Sequence, residues 1–242
     1  MKKYRFYHTE NICLGKTYLL DETNSYQIIK VLRLKPDNEV WLFNNTPFEF
    51  KATIKSINKK VVIVTIIEQY LNNKESPCKI HLVQAIAKGQ KMDYIIQKAV
   101  ELGISTITPL ITERTIVNIP EEKMPQRTEH WQKIIIHACS QCGRSIVPAI
   151  YPPIAFKEWC IKNQTTIKIV LNPYSNLAIT EIPVENNVSL IIGPEGGFST
   201  EEITWAKQHN CLEVSLGPRT LRTETASIVA IAGLQLQFGD LK

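Results

Sequence analysis

Two glycine-bearing turns in the last third of the chain constrain its fold more than any other feature. The first is Leu190-Ile191-Ile192-Gly193-Pro194-Glu195-Gly196-Gly197-Phe198. The second is Leu216-Gly217-Pro218-Arg219-Thr220-Leu221-Arg222-Thr223-Glu224-Thr225-Ala226. Each follows a short apolar run and precedes a helical pattern, so each reads as a strand-to-helix turn. Such turns lie at the carboxyl edge of a sheet, where open α/β sheets hold ligands. After the first turn, Ser199-Thr200-Glu201-Glu202 forms a capping box, with Phe198 and Ile203 in the hydrophobic-staple positions. Its glycines let backbone groups approach a ligand closely. A tight turn without a ligand is the competing reading of that block taken alone.

The preceding segment alternates in the same way. Residues 80–86 form a buried-strand pattern. Met92, Ile95, Ile96, Ala99 and Val100 then recur at helical spacing, Gly103 stops that helix, and residues 104–111 return as a strand. Strand, helix, strand in so short a span implies parallel pairing. A second helix is expected over residues 127–142, with further strands over 167–171, 188–192 and 211–215. Pro148, Pro152 and Pro153 mark an irregular crossing. The last helix, over 225–238, is apolar on more than one face, so it is either deeply buried or packed against a partner chain.

Residues 1–72 follow another pattern. Runs rich in β-branched and aromatic residues at 40–43, 48–54 and 61–67 are separated by Asn44-Asn45-Thr46-Pro47 and Asn58-Lys59-Lys60. Closely spaced strands with tight turns predict a small β-barrel, preceded by one short helix over 25–32. The polar stretch 71–77 reads as a linker. The expected organisation is α/β in two domains, 1–72 and 73–242.

Charge and cysteine spacing narrow the function. The net charge is +5; residues 1–72 hold 11 Lys/Arg against 7 Asp/Glu, and the remainder hold 17 against 16. The positive excess therefore sits at the amino end, as expected for contact with a polyanion, although an ordinary solvated surface accounts for it equally. Cys139-Ser140-Gln141-Cys142 has CxxC spacing, but a structural zinc site needs four ligands and no second such motif exists. No metal is expected, and the six cysteines read as free thiols of a cytoplasmic protein. No apolar run approaches the roughly 18 residues of a membrane span, and the start lacks the apolar stretch of a signal peptide.

The pocket itself lacks the P-loop and dinucleotide fingerprints. A glycine-rich site without a phosphate cradle suits a neutral or cationic ligand built around an adenosine. Glu195 tolerates positive charge there, or caps the nearby helix. Arg219 and Arg222 flank Leu221 and suit phosphates or an anionic base. The alternative is surface charge paired with Glu224.

These two blocks resemble the signature blocks of the small-subunit ribosomal RNA uridine N3-methyltransferases, a branch of the SPOUT class. Lys88-Gly89-Gln90-Lys91-Met92-Asp93, Gln97-Lys98-Ala99-Val100-Glu101-Leu102-Gly103 and Thr112-Glu113-Arg114 are similar to the family's middle blocks. His8 and Val31-Leu32-Arg33-Leu34 are similar to its PUA-like RNA-binding barrel. One departure is His137-Ala138-Cys139-Ser140, where relatives carry a glutamate-containing run ahead of the retained Gln141-Cys142-Gly143-Arg144.

The resemblance implies a SPOUT-type, trefoil-knotted parallel-sheet domain behind a PUA-like barrel, S-adenosylmethionine as cofactor, and a homodimer. The implied activity is methylation of N3 of a specific uridine in 16S ribosomal RNA of the small subunit. Threaded loops are rare enough that nothing in periodicity would have led to a knot. Its loops would follow Leu171, follow Ile192 and surround Leu216. The adenosine would lie against Leu171, Asn172 and Pro173, against Ile192, Gly193, Pro194, Glu195 and Gly196, and against Ser215, Leu216, Gly217 and Pro218, with Leu221 nearby.

Arg222 would stabilise the uracil anion. Glu224 is the carboxylate nearest by sequence to take the proton, although helix capping explains it equally. Arg5, Lys30, Arg33, Lys35, Lys88, Arg114, Arg144 and Arg219 would meet the RNA. Two other readings are a related SPOUT enzyme acting on transfer RNA or a ribose 2'-hydroxyl, and a non-catalytic RNA-binding protein.

Overall fold

The computed structural model describes residues 3–117, 119–163, 167–183 and 187–241. The chain divides into two compact units. One comprises Met1–Glu75 with Cys139–Val147, the other Ser76–Ala138 with Pro148–Lys242. The sequence reading has a single cut at 72/73, whereas in the structure Cys139–Val147 belongs with the first unit.

In the first unit, β1 (Arg5–Tyr7), β2 (Thr17–Leu19), β3 (Glu39–Phe43), β4 (Phe48–Asn58) and β5 (Val61–Leu71) form a sheet in the order β1-β3-β4-β5-β2. Only the β1–β3 pairing is parallel. The β4–β5 ladder shifts register at Lys51/Ala52 and at Ile54/Ser56. Such bulges bend and twist a long hairpin, and here they wrap it around a core that includes Phe6, Ile28, Leu42, Phe50 and Ile54. The expected helix over 25–32 is instead a short helix, α1 (Glu22–Tyr26), followed by a π-helical turn, Gln27–Leu32. Arg33 closes that turn in the left-handed region, with φ 53°. Turns of this kind leave the regular ladder and recur at functional sites.

Segment 139–147 is held to this unit by buried polar groups. Arg5 donates to the Cys139 and Arg144 carbonyls at 2.8 and 3.1 Å and to Ser145 Oγ at 3.1 Å. Arg144 Nε donates to Glu75 Oε1 at 3.0 Å, and Asn72 Nδ2 donates to the Gly143 carbonyl and Ser145 Oγ, both at 2.8 Å. The CxxC residues are free thiols, and burial pushes the Cys139 thiol up to about 12. A thiol so raised is a poor nucleophile and metal ligand. Among the described residues no three His, Cys, Asp or Glu side chains gather as metal ligands. None of the described helices is long and apolar enough to cross a membrane.

The second unit carries β6 (Lys79–Ala85), β7 (Thr106–Ile111), β8 (Ala149–Ile150), β9 (Ile154–Ala155), β10 (Ile167–Leu171), β11 (Asn187–Ile192) and β12 (Cys211–Val214). They pair in the order β12-β10-β11-β6-β7-β8, with β9 also on β7, and every ladder is parallel. The expected strands thus form one sheet. The proline-marked crossing differs from expectation in contributing two short edge strands and a helix, α4 (Phe156–Lys162). Pro109 cannot donate to a ladder, and the edge breaks there, with β8 pairing Thr106–Ile107 and β9 pairing Leu110–Ile111.

Helices α2 (Gln90–Glu101), α3 (Met124–Cys142), α5 (Thr200–Gln208) and α6 (Thr223–Phe238) complete the fold. Gly103, with φ 83°, follows α2 as its expected stop. The capping box is formed, Ser199 N–H donating to Glu202 Oε2 at 2.9 Å and Glu202 N–H to Ser199 Oγ at 3.2 Å. Strand β6 leads through α2 to β7 on one side, while β11 leads through α5 to β12 on the other. The order therefore reverses between β6 and β11, which makes their carboxyl ends the topological switch point.

Candidate active site

Loops from the carboxyl ends of β6, β7, β10, β11 and β12 enclose a cavity of about 700 Å³. Its walls include Leu171, Asn172 and Pro173 after β10, Ile192–Phe198 around the end of β11, and Leu216, Gly217 and Leu221 after β12. Every residue expected to hold the adenosine lines it except Ser215 and Pro218. Ser215 is committed elsewhere: its N–H donates to the Leu177 carbonyl at 2.8 Å and its carbonyl accepts from Ile179 N–H at 3.2 Å. Asn172 N–H donates to the Val214 carbonyl at 2.9 Å, and Asn172 Nδ2 to Glu213 Oε2 at 3.0 Å, so the turns after β10 and β12 are tied together.

Two glycines of the first turn, Gly193 and Gly196, sit in close packing. A Cβ on Gly193 would stand 3.1 Å from the Phe198 ring, and one on Gly196 would stand 3.3 Å from Arg114 Cβ. Phe198 in turn packs on Phe156, with ring centroids 5.0 Å apart. Arg114 Nη1 donates to the Gly196 carbonyl at 3.0 Å, so part of its donor fork clasps the turn while its side chain lines the cavity. The backbone, drawn in by these contacts, forms the cradle.

A buried hydrogen-bond chain that sequence reading missed joins the two signature turns. Thr223 Oγ1 donates to the Gly193 carbonyl at 2.7 Å and accepts from Gln84 Nε2 at 3.0 Å; Ser227 Oγ donates to Gln84 Oε1 at 2.6 Å. Gln84 and Ser227 are fully buried. Gln84 stands in an otherwise apolar strand, and a lone polar residue in a buried strand was the one available signal, since buried amides are hydrogen-bonded.

The charged residues divide into two groups. Arg219 and Arg222 line the cavity, are exposed, and their guanidinium groups have no hydrogen-bond or ion-pair partner among the described residues. Glu224 pairs with neither. Its Oε2 lies 3.8 Å from Lys91 Nζ and is buried without a hydrogen-bond donor. Lys91, from the first turn of α2, also contacts Glu195 Oε1 at 3.2 Å, and Lys88 N–H donates to that same oxygen at 3.1 Å. Partial burial opposes the Glu195 charge, but its own backbone N–H, that of Lys88 and the Lys91 ammonium prevail and hold its carboxyl below the usual carboxylate range.

The expected RNA-facing residues also divide. Lys30, Arg33 and Lys35 are exposed on and just after the π-helical turn, beside the exposed Tyr26 and Val31. Arg5 and Arg144 are buried, and their guanidinium groups are spent on carbonyls, Ser145 and Glu75. That corrects the expectation that these two meet RNA, because reaching a phosphate would break buried bonds.

A family model described as an RNA methyltransferase domain matches residues 74–235, and one described as an RNA methyltransferase PUA domain matches residues 28–67. The chain is 40% identical over 242 residues to ribosomal RNA small subunit methyltransferase E of Buchnera aphidicola subsp. Acyrthosiphon pisum, covering 98% of this chain and 95% of the relative. Among solved structures, it is 33% identical to ribosomal RNA small subunit methyltransferase E of Neisseria gonorrhoeae, bound to S-adenosyl methionine. That match has a TM-score of 0.93 and covers 100% of both chains. A Legionella pneumophila protein described as a methyltransferase, with its cofactor SAM bound, matches at 42% identity and a TM-score of 0.97, again over 100% of both chains. Full-length likeness at this identity, together with a cavity built by both signature turns, makes the chain a member of the ribosomal RNA small subunit methyltransferase E family.

Proposed function

We propose that this protein methylates N3 of a uridine in 16S ribosomal RNA of the small subunit, with S-adenosylmethionine as donor. The observation that carries the reading is the single cavity lined by both signature turns, in a chain that matches cofactor-bound relatives over its whole length. When bound, the cofactor supplies a methyl group on a cationic sulfur, already activated for transfer.

The protein's own residues bind and orient. The backbone of Gly193–Gly196, Leu171–Pro173 and Leu216–Gly217 lines a bed for an adenosine, with Leu221 as an apolar cover. Arg222 faces the base, and Arg219 and Arg114 its flanking backbone. N3 is protonated and buried in a base pair within a duplex, so the base must first be unstacked. Losing its proton puts negative charge on the carbonyl oxygens, where a fixed cation lowers the barrier. Glu224, in the first turn of α6 beside the cavity-lining Thr223, is the carboxylate assigned to accept that proton.

A homodimer is consistent with α6, whose Val229 and Leu236 remain 43% and 62% exposed opposite its buried stripe. Cytoplasmic localisation and a knot through the loops after β10, β11 and β12 belong to the same reading. The test is mass mapping of modified nucleosides in ribosomal RNA from cells with and without the gene. N3-methyluridine should disappear from the small-subunit RNA alone; its persistence, or loss of a transfer-RNA or ribose methyl group instead, would overturn the assignment.

The exposed set Lys30, Arg33 and Lys35 serves RNA affinity. Replacing all three by glutamine should lower the salt slope of RNA binding by about 2–3 and weaken binding most at low salt. Filter binding across a salt series measures both. A slope equal to that of the parent would remove this face from the RNA contact.

A further inference from the structure

We propose that Lys91 is a catalytic residue of this reaction, its ammonium donating a hydrogen bond to a carbonyl oxygen of uracil beside N3. The inference rests on the function proposed above and names how the site selects and activates its base. Lys91 comes from neither signature turn, yet it stands between them. Its Nζ is 3.2 Å from Glu195 of the first turn and 3.8 Å from Glu224 of the second, and its side chain lines the cavity. Gly89, with φ 62°, turns the chain so that Lys88 N–H and Lys91 both meet Glu195 Oε1.

An ammonium has three N–H donors. Glu195 takes one, and Glu224 at 3.8 Å is beyond hydrogen-bond length. Donors therefore remain for a ligand in the cavity. Two carboxylates and one ammonium give the cluster a net charge of −1, so a ligand carboxylate finds its counter-charge at Arg114, Arg219 and Arg222 of the same cavity rather than here, while a neutral carbonyl needs only a donor. This distinguishes Lys91 from a group holding the amino-acid end of the cofactor.

The proton step then closes within the cluster. The N3–H bond breaks, an O–H bond forms on the Glu224 carboxylate, and the electron pair stays on N3, shared with the two flanking carbonyl oxygens. As Glu224 becomes neutral the cluster passes from −1 to zero net charge, so negative charge arriving on the base is no longer opposed by Glu224 as it meets the Lys91 ammonium. Arg222 on one carbonyl oxygen and Lys91 on the other place a donor on each side of N3. Uracil satisfies both. Cytosine presents an amino group to one of them and carries no N3 proton to remove.

The test uses the full-length protein with Lys91→Met and Lys91→Arg, and small subunits from cells lacking the gene. At saturating cofactor, the single-turnover rate of Lys91→Met should fall about 100-fold, as on removing one donor from a charge-stabilising site. Its cofactor affinity, read by calorimetry without RNA, should stay within about threefold of the parent, since a group on the base contributes little to binding of the cofactor alone. Lys91→Arg should recover at least about tenfold of the lost rate, because it restores a cationic donor. A parent-like rate in Lys91→Met overturns the proposal. A rate loss matched by weakened cofactor binding, or an arginine variant as slow as the methionine one, also overturns it and leaves Lys91 a structural clasp for Glu195. Failure of the parent protein to methylate these subunits would instead overturn the proposed function itself.

Discussion

Replacing Arg222 by alanine should lower the single-turnover methylation rate by about 100- to 1,000-fold, the range found on removing one donor from a charge-stabilising site. Cofactor affinity should remain nearly that of the parent. Arg222 is the N-cap residue of α6 but makes no side-chain capping bond. It is exposed and lines the cavity. Its removal therefore breaks no buried contact, and the fold should tolerate it. Arg222→Lys keeps the charge but loses the planar fork and should fall between the two. Single-turnover rates at saturating cofactor, with calorimetry of cofactor binding, separate the effects. An alanine variant that methylates at the parent's rate would place the arginine away from the base.

The second large effect is expected at Gln84, which touches no ligand. Its side chain is fully buried and joins Thr223 Oγ1 to Ser227 Oγ, while Thr223 holds the Gly193 carbonyl. Gln84→Leu keeps much of the volume but removes the donor to Thr223 Oγ1 and one of the two acceptors of Ser227 Oγ, which retains the Thr223 carbonyl at 2.8 Å. Each net hydrogen bond lost costs about 0.5–1.5 kcal/mol, so losing two should cost about 1–3 kcal/mol. In a chain of this size that lowers the unfolding midpoint by about 2–12 °C. Because the chain ends on the carbonyl of the cofactor turn, cofactor affinity should weaken with stability. Thr223→Ser retains the hydroxyl and should change both far less. Differential scanning calorimetry reads the midpoint; one within a degree of the parent, with unchanged affinity, would show that the network carries no load.

Much of the α/β unit was legible because its signals are local. Periodicity marked α2 and the strands around it, Gly103 its stop, and Ser199 with Glu202 the start of α5. The glycines of both turns marked the cavity: Gly193 and Gly196 let Phe198 and Arg114 approach closely, while Gly197 and Gly217 take positive φ, at 67° and 96°. The helix α4 and the edge strands β8 and β9 were not legible. Elements of two to seven residues, set among prolines, carry too little periodicity to register. The π-helical turn also escaped, because Gln27–Leu32 has an ordinary helical pattern and its departure lies in backbone hydrogen bonding.

Charge was the least readable property. Arg5 and Arg144 are indistinguishable in sequence from Lys30 or Arg33, yet the first pair is buried on carbonyls and Glu75 while the second is exposed. A side chain's type fixes its charge and its donors. Whether those donors meet solvent or the protein's own carbonyls depends on neighbours more than a hundred residues away, as with Arg5 and Cys139.

By itself the sequence determined the parallel α/β architecture, the two glycine turns and, through its resemblance, the family. Only the tertiary structure decided which charges meet there. Lys91 joins Glu195 and Glu224 because parallel pairing of β6 with β11 brings the start of α2 to the first turn, and Thr223 binds the Gly193 carbonyl across thirty residues of chain. Local periodicity is written in neighbouring residues. A site assembled from the carboxyl ends of five strands depends on strand order, which no local pattern encodes.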